Sequence, residues 1–236
     1  VDLAVHSMKD VPTDFPEGLA LRCITKREDP RDALISREGK KLSELTEGAK
    51  IGTSSLRRRS QLLAKRPDLE IRDLRGNLDT RIRKLEEGVY DAIILAGAGL
   101  NRLGWSEKIT ELIDPDLMLP AIGQGALGIE TRIDDGTTNE LVAFFDDPNT
   151  SDAVKGERAL LKELEGGCQV PIAAYGTVKD MHLKLKGLVA SVDGSRIIEA
   201  SIEGSSRESA TLGVELAKKL ITMGAKEILD ELYSAD

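Results

Sequence analysis

One cysteine, Cys168, lies in the segment LEGGCQVP, directly after two glycines and before a stretch that reads as a strand. A free cysteine is usually a small buried hydrophobe, and where one occupies a turn its reactivity is the more common reason for it. Two interpretations therefore stand: a turn that happens to contain a cysteine, or a thiol that takes part in covalent chemistry.

Two arginines occupy positions that the helix dipole disfavours. Arg57 and Arg58 lie in the first turn of the helix predicted for SLRRRSQLLAKR, where acidic residues would be favoured. The hydroxyl residues Thr53, Ser54 and Ser55 directly precede this helix. Hydroxyls, the N–H groups of a helix start and guanidinium groups together form a receptor for a carboxylate or a phosphate.

A second strand-to-helix junction repeats this pattern. In IRDLRGNLDTR, Arg75 follows a predicted strand and Arg81 lies in the next helix. Because the carboxyl ends of neighbouring parallel strands meet at one edge of a sheet, both junctions face the crevice in which open α/β sheets bind ligands. Other basic residues of the same region are expected on solvated helix faces: Arg59, Lys65, Arg66 and Lys84.

Charge is distributed unevenly along the chain. Residues 50–90 contain eleven basic and six acidic residues, whereas the whole chain has a net charge of −8. An acidic chain in which aromatic residues make up 3% argues against a nucleic-acid-binding protein. The basic region therefore indicates an anion-binding site.

Two further motifs are less specific by themselves. In HSMKDVP, Lys9 and Asp10 follow a buried strand, and an aspartate before a Val-Pro turn is most often a turn residue. The segment GQGALG, which contains Gln124, matches G-x-G-x-x-G. The residues that follow it, IETRID, predict a strand and not the helix that would hold a pyrophosphate, so a dinucleotide site is rejected.

The elements that position these residues follow a βαβ pattern. Short apolar segments alternate with amphipathic ones, and from KIGTSS to YDAIILA we predict three strands joined by two helices, in an α/β domain with a mostly parallel sheet. Ser54 or Ser55 is expected to cap the first helix and Asn77 the second. Residues 137–165 are predicted to be helical. Three period-2 strands and two helices follow, which indicates a small α+β unit.

Composition excludes several classes of protein. No apolar run approaches the roughly 20 residues of a membrane span, and the start lacks the pattern of a signal peptide, so we expect a cytoplasmic protein without a membrane partner. Cys23 and Cys168 do not form a disulfide framework, and we expect Cys23 in a core. With two histidines and no CxxC motif, a metal site is not expected.

Seven segments, taken together, are specific enough to indicate a family. The chain resembles the porphobilinogen deaminases, also called hydroxymethylbilane synthases, from residue 1 to its carboxyl end. The segments that carry the resemblance, in the family's order, are AVHSMKDVPT, REDPRDALIS, IGTSSLRRRSQL, IRDLRGNLDTRI, YDAIILAGAGLNRLG, LPAIGQGALGIE and LEGGCQVPIAAYG.

The resemblance implies a transferase of haem and other tetrapyrrole biosynthesis that joins four porphobilinogen molecules into hydroxymethylbilane and releases ammonia. It implies that Cys168 carries a dipyrromethane cofactor through a thioether, and that the carboxylate of Asp10 is catalytic. It implies substrate contacts at Arg57, Arg81, Arg102 and Gln124. The cofactor contacts that it implies are Lys9, Thr53, Ser55, Arg57, Arg58, Arg75 and Arg81.

The family fold implied for this chain is α/β, with two lobes like those of type II periplasmic binding proteins, a hinge, and a small α+β carboxyl-terminal domain. Domain 1 would comprise residues 1–25 and 121–144, domain 2 residues 29–117, and domain 3 residues 147–236. The family expectation is a monomer without an obligate protein partner.

The family also has an amino-terminal segment of several dozen residues, with a strand and helix of the first lobe, an Arg/Ser substrate-binding motif and a basic mobile loop. None of it precedes Val1 here. We expect the sequence to be a trimmed form, and we expect a molecule that truly began at Val1 to have a poorly packed first lobe and little activity.

Three other functions fit parts of the sequence. A non-catalytic anion-binding protein on the same two lobes would need the arginines but neither Asp10 nor Cys168, so the presence of both disfavours it. A nucleic-acid-binding protein would need aromatic residues that stack on bases and a net positive charge over the whole chain. A cysteine hydrolase would need a histidine partner for Cys168, and neither histidine lies in a suitable context.

Overall fold

The computed structural model describes residues 1–164 and 170–234, so Cys168 lies outside the described residues. Three β-sheets and the helices that pack on them make up the described chain. The strands, in chain order, are β1 (Leu3–Ser7), β2 (Leu19–Ile24), β3 (Asp32–Ser36), β4 (Lys50–Gly52), β5 (Glu70–Arg72), β6 (Ala92–Ala96), β7 (Glu111–Leu112), β8 (Leu127–Arg132), β9 (Ile172–Lys179), β10 (His182–Ala190) and β11 (Ile197–Ser205).

Most of the α-helices lie where the sequence predicts them, but Gly97–Arg102 was not predicted, and the helical stretch expected over residues 137–165 is divided into two α-helices. Residues 143–145 form a short 3-10 helix between the fourth and fifth α-helices, and Ile221–Ala225 form a π-helical turn between the last two. The helices are α1 (Leu56–Lys65), α2 (Leu78–Glu86), α3 (Gly97–Arg102), α4 (Gly136–Val142), α5 (Pro148–Glu163), α6 (Ser209–Leu220) and α7 (Lys226–Tyr233).

The first sheet has the order β1-β8-β2, and both of its pairings are antiparallel. Its central strand comes from much later in the sequence than the two strands beside it. The first sheet is therefore discontinuous along the chain.

The second sheet has the order β5-β4-β6-β3-β7. Strands β5, β4 and β6 are parallel, as predicted, whereas β3 pairs antiparallel with both β6 and β7. Strand β3 is the first strand of the second sheet along the chain, and it follows β2 of the first sheet directly. The third sheet, β11-β10-β9, is antiparallel and carries α5 and α6. The α/β fold class with a small α+β carboxyl-terminal unit is confirmed.

Local signals set the helix boundaries. The Ser55 hydroxyl accepts a hydrogen bond from the N–H of Arg58 at 3.4 Å, and the Asn77 side chain accepts one from Thr80 at 2.9 Å, so both predicted caps are confirmed. Helix α1 ends two residues before Pro67. Gly88, just past α2, has a φ of +77°, which a glycine adopts without steric cost.

Two segments connect the first and second sheets, one between β2 and β3 and one between β7 and β8. They run side by side, since the N–H of Glu28 donates to the carbonyl of Gly125 at 3.1 Å. Gly125 has a φ of +91°, and a Cβ there would lie 2.5 Å from the Glu28 carbonyl oxygen. Only glycine allows the two segments to approach this closely.

Each face of the second sheet has a core, and a larger core lies between the third sheet and helices α5 to α7. The first sheet joins the carboxyl-terminal unit through a smaller cluster, in which Val11 packs with Val154 of α5. Cys23 is buried, as expected. The domain boundaries remain a prediction. Within the described ranges, the helices are too short or too polar to cross a membrane.

Candidate functional site

A cleft of about 640 Å³ lies where the three units meet. The start of α1 and the start of α2 form one wall, the turn after β1 forms another, and α5 with the start of β9 forms the third. The residues that line it are Met8, Lys9, Asp10, Val11, Ser54, Ser55, Leu56, Arg57, Arg58, Asp73, Arg75, Arg81, Ala121, Ile122, Gln124, Arg158, Leu161, Val170 and Ile172.

The wall at α1 is built on a buried carboxylate that the sequence motifs did not reveal. Asp32, at the start of β3, is 0% exposed. Arg57 donates from Nη1 to Asp32 Oδ2 at 2.8 Å and from Nη2 to Oδ1 at 3.2 Å. Arg58 donates from Nε to Oδ1 at 2.9 Å, and its Nη2 lies 2.8 Å from the same oxygen. One carboxylate thus orients both guanidinium groups.

The remaining hydrogen bonds of these arginines go to backbone. Arg57 donates to the carbonyl of Leu119 at 2.7 Å, and Arg58 donates to that of Ile94 at 3.0 Å. Two buried cations therefore face one buried anion, which leaves an excess positive charge at the cleft. An additional anion there would be attracted strongly, because charges interact strongly away from water.

The pKa values reflect this arrangement. Burial by itself would raise the pKa of Asp32, but the charges of Arg57 and Arg58 and the hydrogen bonds to the carboxylate outweigh it and lower the pKa to about 2. Burial lowers the pKa of Arg58, against the opposing charge of Asp32. Burial also lowers the pKa of Lys9, and the positive charges of Arg58 and Arg57 act in the same direction.

The hydroxyl residues before α1 shape the turn that presents the arginines. Thr53 is buried and accepts from the N–H of Ser55 at 3.2 Å. The Ser54 hydroxyl donates to the carbonyl of Leu74 and accepts from the Leu74 N–H, both at 3.0 Å. This link fixes the two strand-to-helix junctions next to each other, as their position in a parallel sheet predicts. Ser55 lines the cleft, whereas Thr53 lies behind it.

The second junction contributes two more cations. Arg75 is exposed over 83% of its side chain and is 3.9 Å from Asp73. Arg81 donates from Nε to the carbonyl of Gly76 at 2.7 Å. Both line the cleft, so the structure brings together four of the five arginines named from the sequence. The fifth, Arg102, ends α3 and donates to the Gly125 carbonyl at 2.8 Å, beside the connecting segments.

Lys9 and Asp10 lie in a 3-10 turn, Met8–Asp10, that directly follows β1. Met8 anchors the turn, since it is 1% exposed and its N–H donates to Ala126 at 3.0 Å. Lys9 is half-buried, and Asp10 is exposed at the mouth of the cleft. The catalytic candidate thus faces the same space as the arginines.

Gln124 lies next to Asp32. Its Nε2 donates to the Pro30 carbonyl at 2.6 Å and to Asp32 Oδ1 at 3.1 Å, so both amide hydrogens are used. The reverse orientation of the amide would place its oxygen against two other oxygens, which excludes it. Oε1 of Gln124 is buried and has no partner within residues 1–164 and 170–234. Gln124 as found therefore offers a ligand an acceptor, not the donor that a carboxylate needs.

A second buried carboxylate, Glu157 of α5, was also missed from the sequence. Arg27 of the first connecting segment donates to it from Nη1 at 2.5 Å and from Nη2 at 3.2 Å. Glu157 also accepts from the N–H of Gly123 at 2.6 Å and of Gly176 at 2.8 Å. It therefore joins both connecting segments to the carboxyl-terminal unit. The acidic and basic residues of REDPRDALIS were a signal, but sequence alone does not show which partners they meet.

Cys168 lies outside the described residues. Leu161 on one side of it in sequence and Val170 on the other both line the cleft.

Comparison with known proteins identifies two family matches. The family described as "Porphobilinogen deaminase, dipyromethane cofactor binding domain" matches residues 1–140, and the family described as "Porphobilinogen deaminase, C-terminal domain" matches residues 152–222. Proteins named porphobilinogen deaminase from Geobacter metallireducens and Trichlorobacter lovleyi are each 58% identical to the chain over 236 residues. The match covers 100% of this chain in both cases, with 74% of the first relative and 75% of the second.

Among solved structures, an ABC transporter periplasmic binding protein from Brucella ovis, with glutathione bound, is similar to the chain with a TM-score of 0.29 and 16% identity. The match covers 63% of this chain and 44% of that one.

Proposed function

The chain belongs to the porphobilinogen deaminase family, and on that premise we propose that it joins four porphobilinogen molecules head to tail into hydroxymethylbilane for tetrapyrrole synthesis, with release of ammonia. The observation that carries the proposal is the cleft at which basic side chains from two strand-to-helix junctions meet Asp10. Each porphobilinogen ring has an acetate and a propionate, so a growing chain accumulates carboxylates. Guanidinium groups are the natural counter-charge for them.

The residues of the cleft fit a dipyrromethane cofactor. Such a group also carries acetate and propionate side chains, and the wall at α1 has two buried guanidinium groups for one carboxylate. When bound, dipyrromethane supplies the pyrrole carbon to which the first substrate is joined. We place it on Cys168 through a thioether. The residues proposed to hold it are Lys9, Thr53, Ser55, Arg57, Arg58, Arg75 and Arg81.

Asp10 is the proposed catalytic residue. Its carboxylate would accept hydrogen bonds from pyrrole N–H groups and stabilise the positive charge that develops on a porphobilinogen ring as its ammonia departs. A carboxylate preorganised toward developing charge contributes several kcal/mol to the lowering of the barrier. The exposed position of Asp10 at the mouth of the cleft supports this role.

Substrate binding is assigned to Arg57, Arg81, Arg102 and Gln124. The arginines would bind the acetate and propionate groups. Gln124 would accept from an N–H group through Oε1, since its own N–H hydrogens are committed to Pro30 and Asp32. Contact with Oε1 would require a shift of the atoms that cover it.

We further expect a cytoplasmic monomer that has neither a nucleic acid nor an obligate protein as a partner. The net charge of −8 supports the absence of nucleic acid, because a polyanion is repelled by an acidic protein. Light scattering of the purified protein measures its molar mass in solution, which should be that of one chain.

Intact mass of the denatured protein, followed by a peptide map, tests the proposed function. A mass excess of two linked pyrrole units on the peptide that contains Cys168 is expected. An anion-binding protein or a nucleic-acid-binding protein has no reason to carry that group. A bare Cys168 thiol, with no formation of hydroxymethylbilane from porphobilinogen, would overturn the proposal when both are measured on protein that includes the family's amino-terminal segment.

A further inference from the structure

Arg158 of α5 holds the backbone that directly follows Asp10. Its Nη1 donates to the carbonyl of Val11 at 3.0 Å, and its Nη2 donates to that of Pro12 at 2.6 Å and to that of Thr13 at 3.3 Å. Three successive carbonyls thus accept from one guanidinium group. A planar fork of donors suits such a set, whereas a lysine ammonium is a single point of charge.

Met8 anchors the part of the turn before Asp10, through its burial and its hydrogen bond to Ala126, whereas Arg158 holds the part that follows Asp10. Within the described part of the chain, the Asp10 carboxylate makes no hydrogen bond or ion pair, so the backbone of the turn sets where it points. Two more contacts reach the segment from α5. Val11 belongs to the same buried apolar cluster as Val154, and Nζ of Lys162 lies 2.6 Å from Oδ1 of Asp14 in an exposed ion pair.

Helix α5 is itself firmly placed. The residue before Arg158 is Glu157, whose buried carboxylate binds the Gly123 turn, β9 and Arg27. Helix α5 ends at Glu163, five residues before Cys168 in the sequence. A contact from α5 to the turn therefore fixes the position of Asp10 relative to α5, the helix that precedes Cys168 in the sequence.

We propose that Arg158 is a positioning residue for Asp10: it holds the turn of residues 10–13 so that the carboxylate keeps one place relative to α5. The inference rests on the proposed function, since it takes Asp10 as the catalytic group. Arg158 need not touch the substrate for this role. Small displacements of a catalytic group reduce turnover steeply, by as much as about 100-fold for a shift of about 1 Å.

The test compares Arg158→Gln and Arg158→Lys with the unsubstituted protein, all three with the family's amino-terminal segment included. We expect kcat to fall about 10- to 100-fold in both variants, with KM for porphobilinogen and the mass excess on the Cys168 peptide within about twofold of wild type. Hydrogen exchange should accelerate at the amides of Asp10, Val11, Thr13 and Asp14 and remain unchanged in β4 and β6, which report on the second sheet.

Lys155→Gln is the matched control. It removes a positive charge from the same helix, and its ion pair, with Asp152 at 3.6 Å, stays within α5. We expect kcat and exchange at the turn to match wild type, because exposed pairs contribute little.

Wild-type kcat in Arg158→Gln, or faster exchange throughout the second sheet as well as at the turn, would overturn the positioning role. Loss of the cofactor mass in step with kcat would also overturn it, since Arg158 would then be needed for cofactor assembly. Absence of both cofactor and turnover in the unsubstituted protein that includes the family's amino-terminal segment would instead overturn the proposed function.

Discussion

The carboxylate of Asp32 and the guanidinium of Arg58 form a buried ion pair, with both Nε and Nη2 of Arg58 within 2.9 Å of Oδ1. Arg57 pairs with the same carboxylate. Removal of that single negative charge would leave two guanidinium groups in a low-dielectric site without compensation, which is among the most destabilising changes in a protein interior.

We therefore expect Asp32→Asn to lower the free energy of unfolding by about 3 kcal/mol, measured by urea denaturation. Asp68→Asn is the control, because Asp68 pairs with Arg66 at 2.6 Å near the surface. That change should cost less than about 1 kcal/mol. Equal effects of the two substitutions would contradict the assignment of Asp32 as the support of both arginines.

The stability that Asp32 contributes should depend on pH in a defined direction. Its folded pKa is about 2, below the ordinary 3.8, so the contribution is present above pH 4 and is lost as the pH falls from about 4 through 2. The loss should approach about 2 kcal/mol, from the size of the shift. Urea unfolding of wild type and Asp32→Asn between pH 5 and pH 2 measures it, since the other carboxylates are common to both. The difference between the two proteins should shrink with acid, and a constant difference would refute the prediction.

Asp10→Ala should retain the cofactor and lose nearly all turnover, with kcat reduced by at least about 100-fold. The reason is that Asp10 is exposed at the cleft, so its removal disturbs little structure. Mass spectrometry and hydroxymethylbilane formation measure the two effects. Normal turnover by this variant would remove Asp10 from the catalytic role.

Arg57→Ala or Arg58→Ala should impair cofactor assembly or binding of the first ring. Arg57 and Arg58 carry two positive charges against the one negative charge of Asp32. Each substitution removes one positive charge, so the wall at α1 no longer has an excess positive charge to attract a ligand carboxylate. The fraction of protein that carries the two-pyrrole mass checks this. Arg83→Ala is the control, since Arg83 is an exposed residue of α2, 3.8 Å from Glu87. Unchanged kinetics and full cofactor mass in the Arg57 and Arg58 variants would place those arginines outside the site.

Gly125→Ala should separate the two connecting segments. A Cβ at this position would lie 2.5 Å from the Glu28 carbonyl oxygen, and the φ of +91° is unfavourable for alanine. We expect a loss of about 2 kcal/mol or more in the free energy of unfolding. Gly136→Ala is the control, because its Cβ would meet no atom within 4 Å, and it should be neutral or slightly stabilising. A stable Gly125→Ala protein would show that the segments can separate without cost.

Local features of the fold were predictable because short-range physics determines them. Ser55 and Asn77 cap helices through contacts three residues away, and the parallel strands β4, β5 and β6 follow from the apolar pattern between them. The antiparallel direction of β3 was not predictable from that pattern, because it depends on where the chain enters the second sheet.

In the site, too, residues placed by local sequence were predictable, and residues placed by distant partners were not. Arg57, Arg58, Arg75 and Arg81 were found because they occur at strand-to-helix junctions, whose relative positions are a property of parallel sheets. Asp32 and Glu157 were missed because their importance lies in partners that are distant in sequence, and the sequence around each is typical of a surface charge. For Gln124, the sequence did not show that its amide hydrogens would be used by Pro30 and Asp32.

The strand order β1-β8-β2 has a consequence for the path of folding. Strands β1 and β2 are complete by Ile24, but the strand that lies between them is Leu127–Arg132, roughly a hundred residues later. The second sheet, by contrast, uses only residues between Asp32 and Leu112. During synthesis the second sheet can assemble first, and it brings the two ends of its own segment together. The first sheet can form only after β8, the last of its three strands to be synthesised. Residues 3–24 therefore stay unpaired for longer, and we expect them to be the slowest part to fold and the part most prone to aggregate before folding is complete.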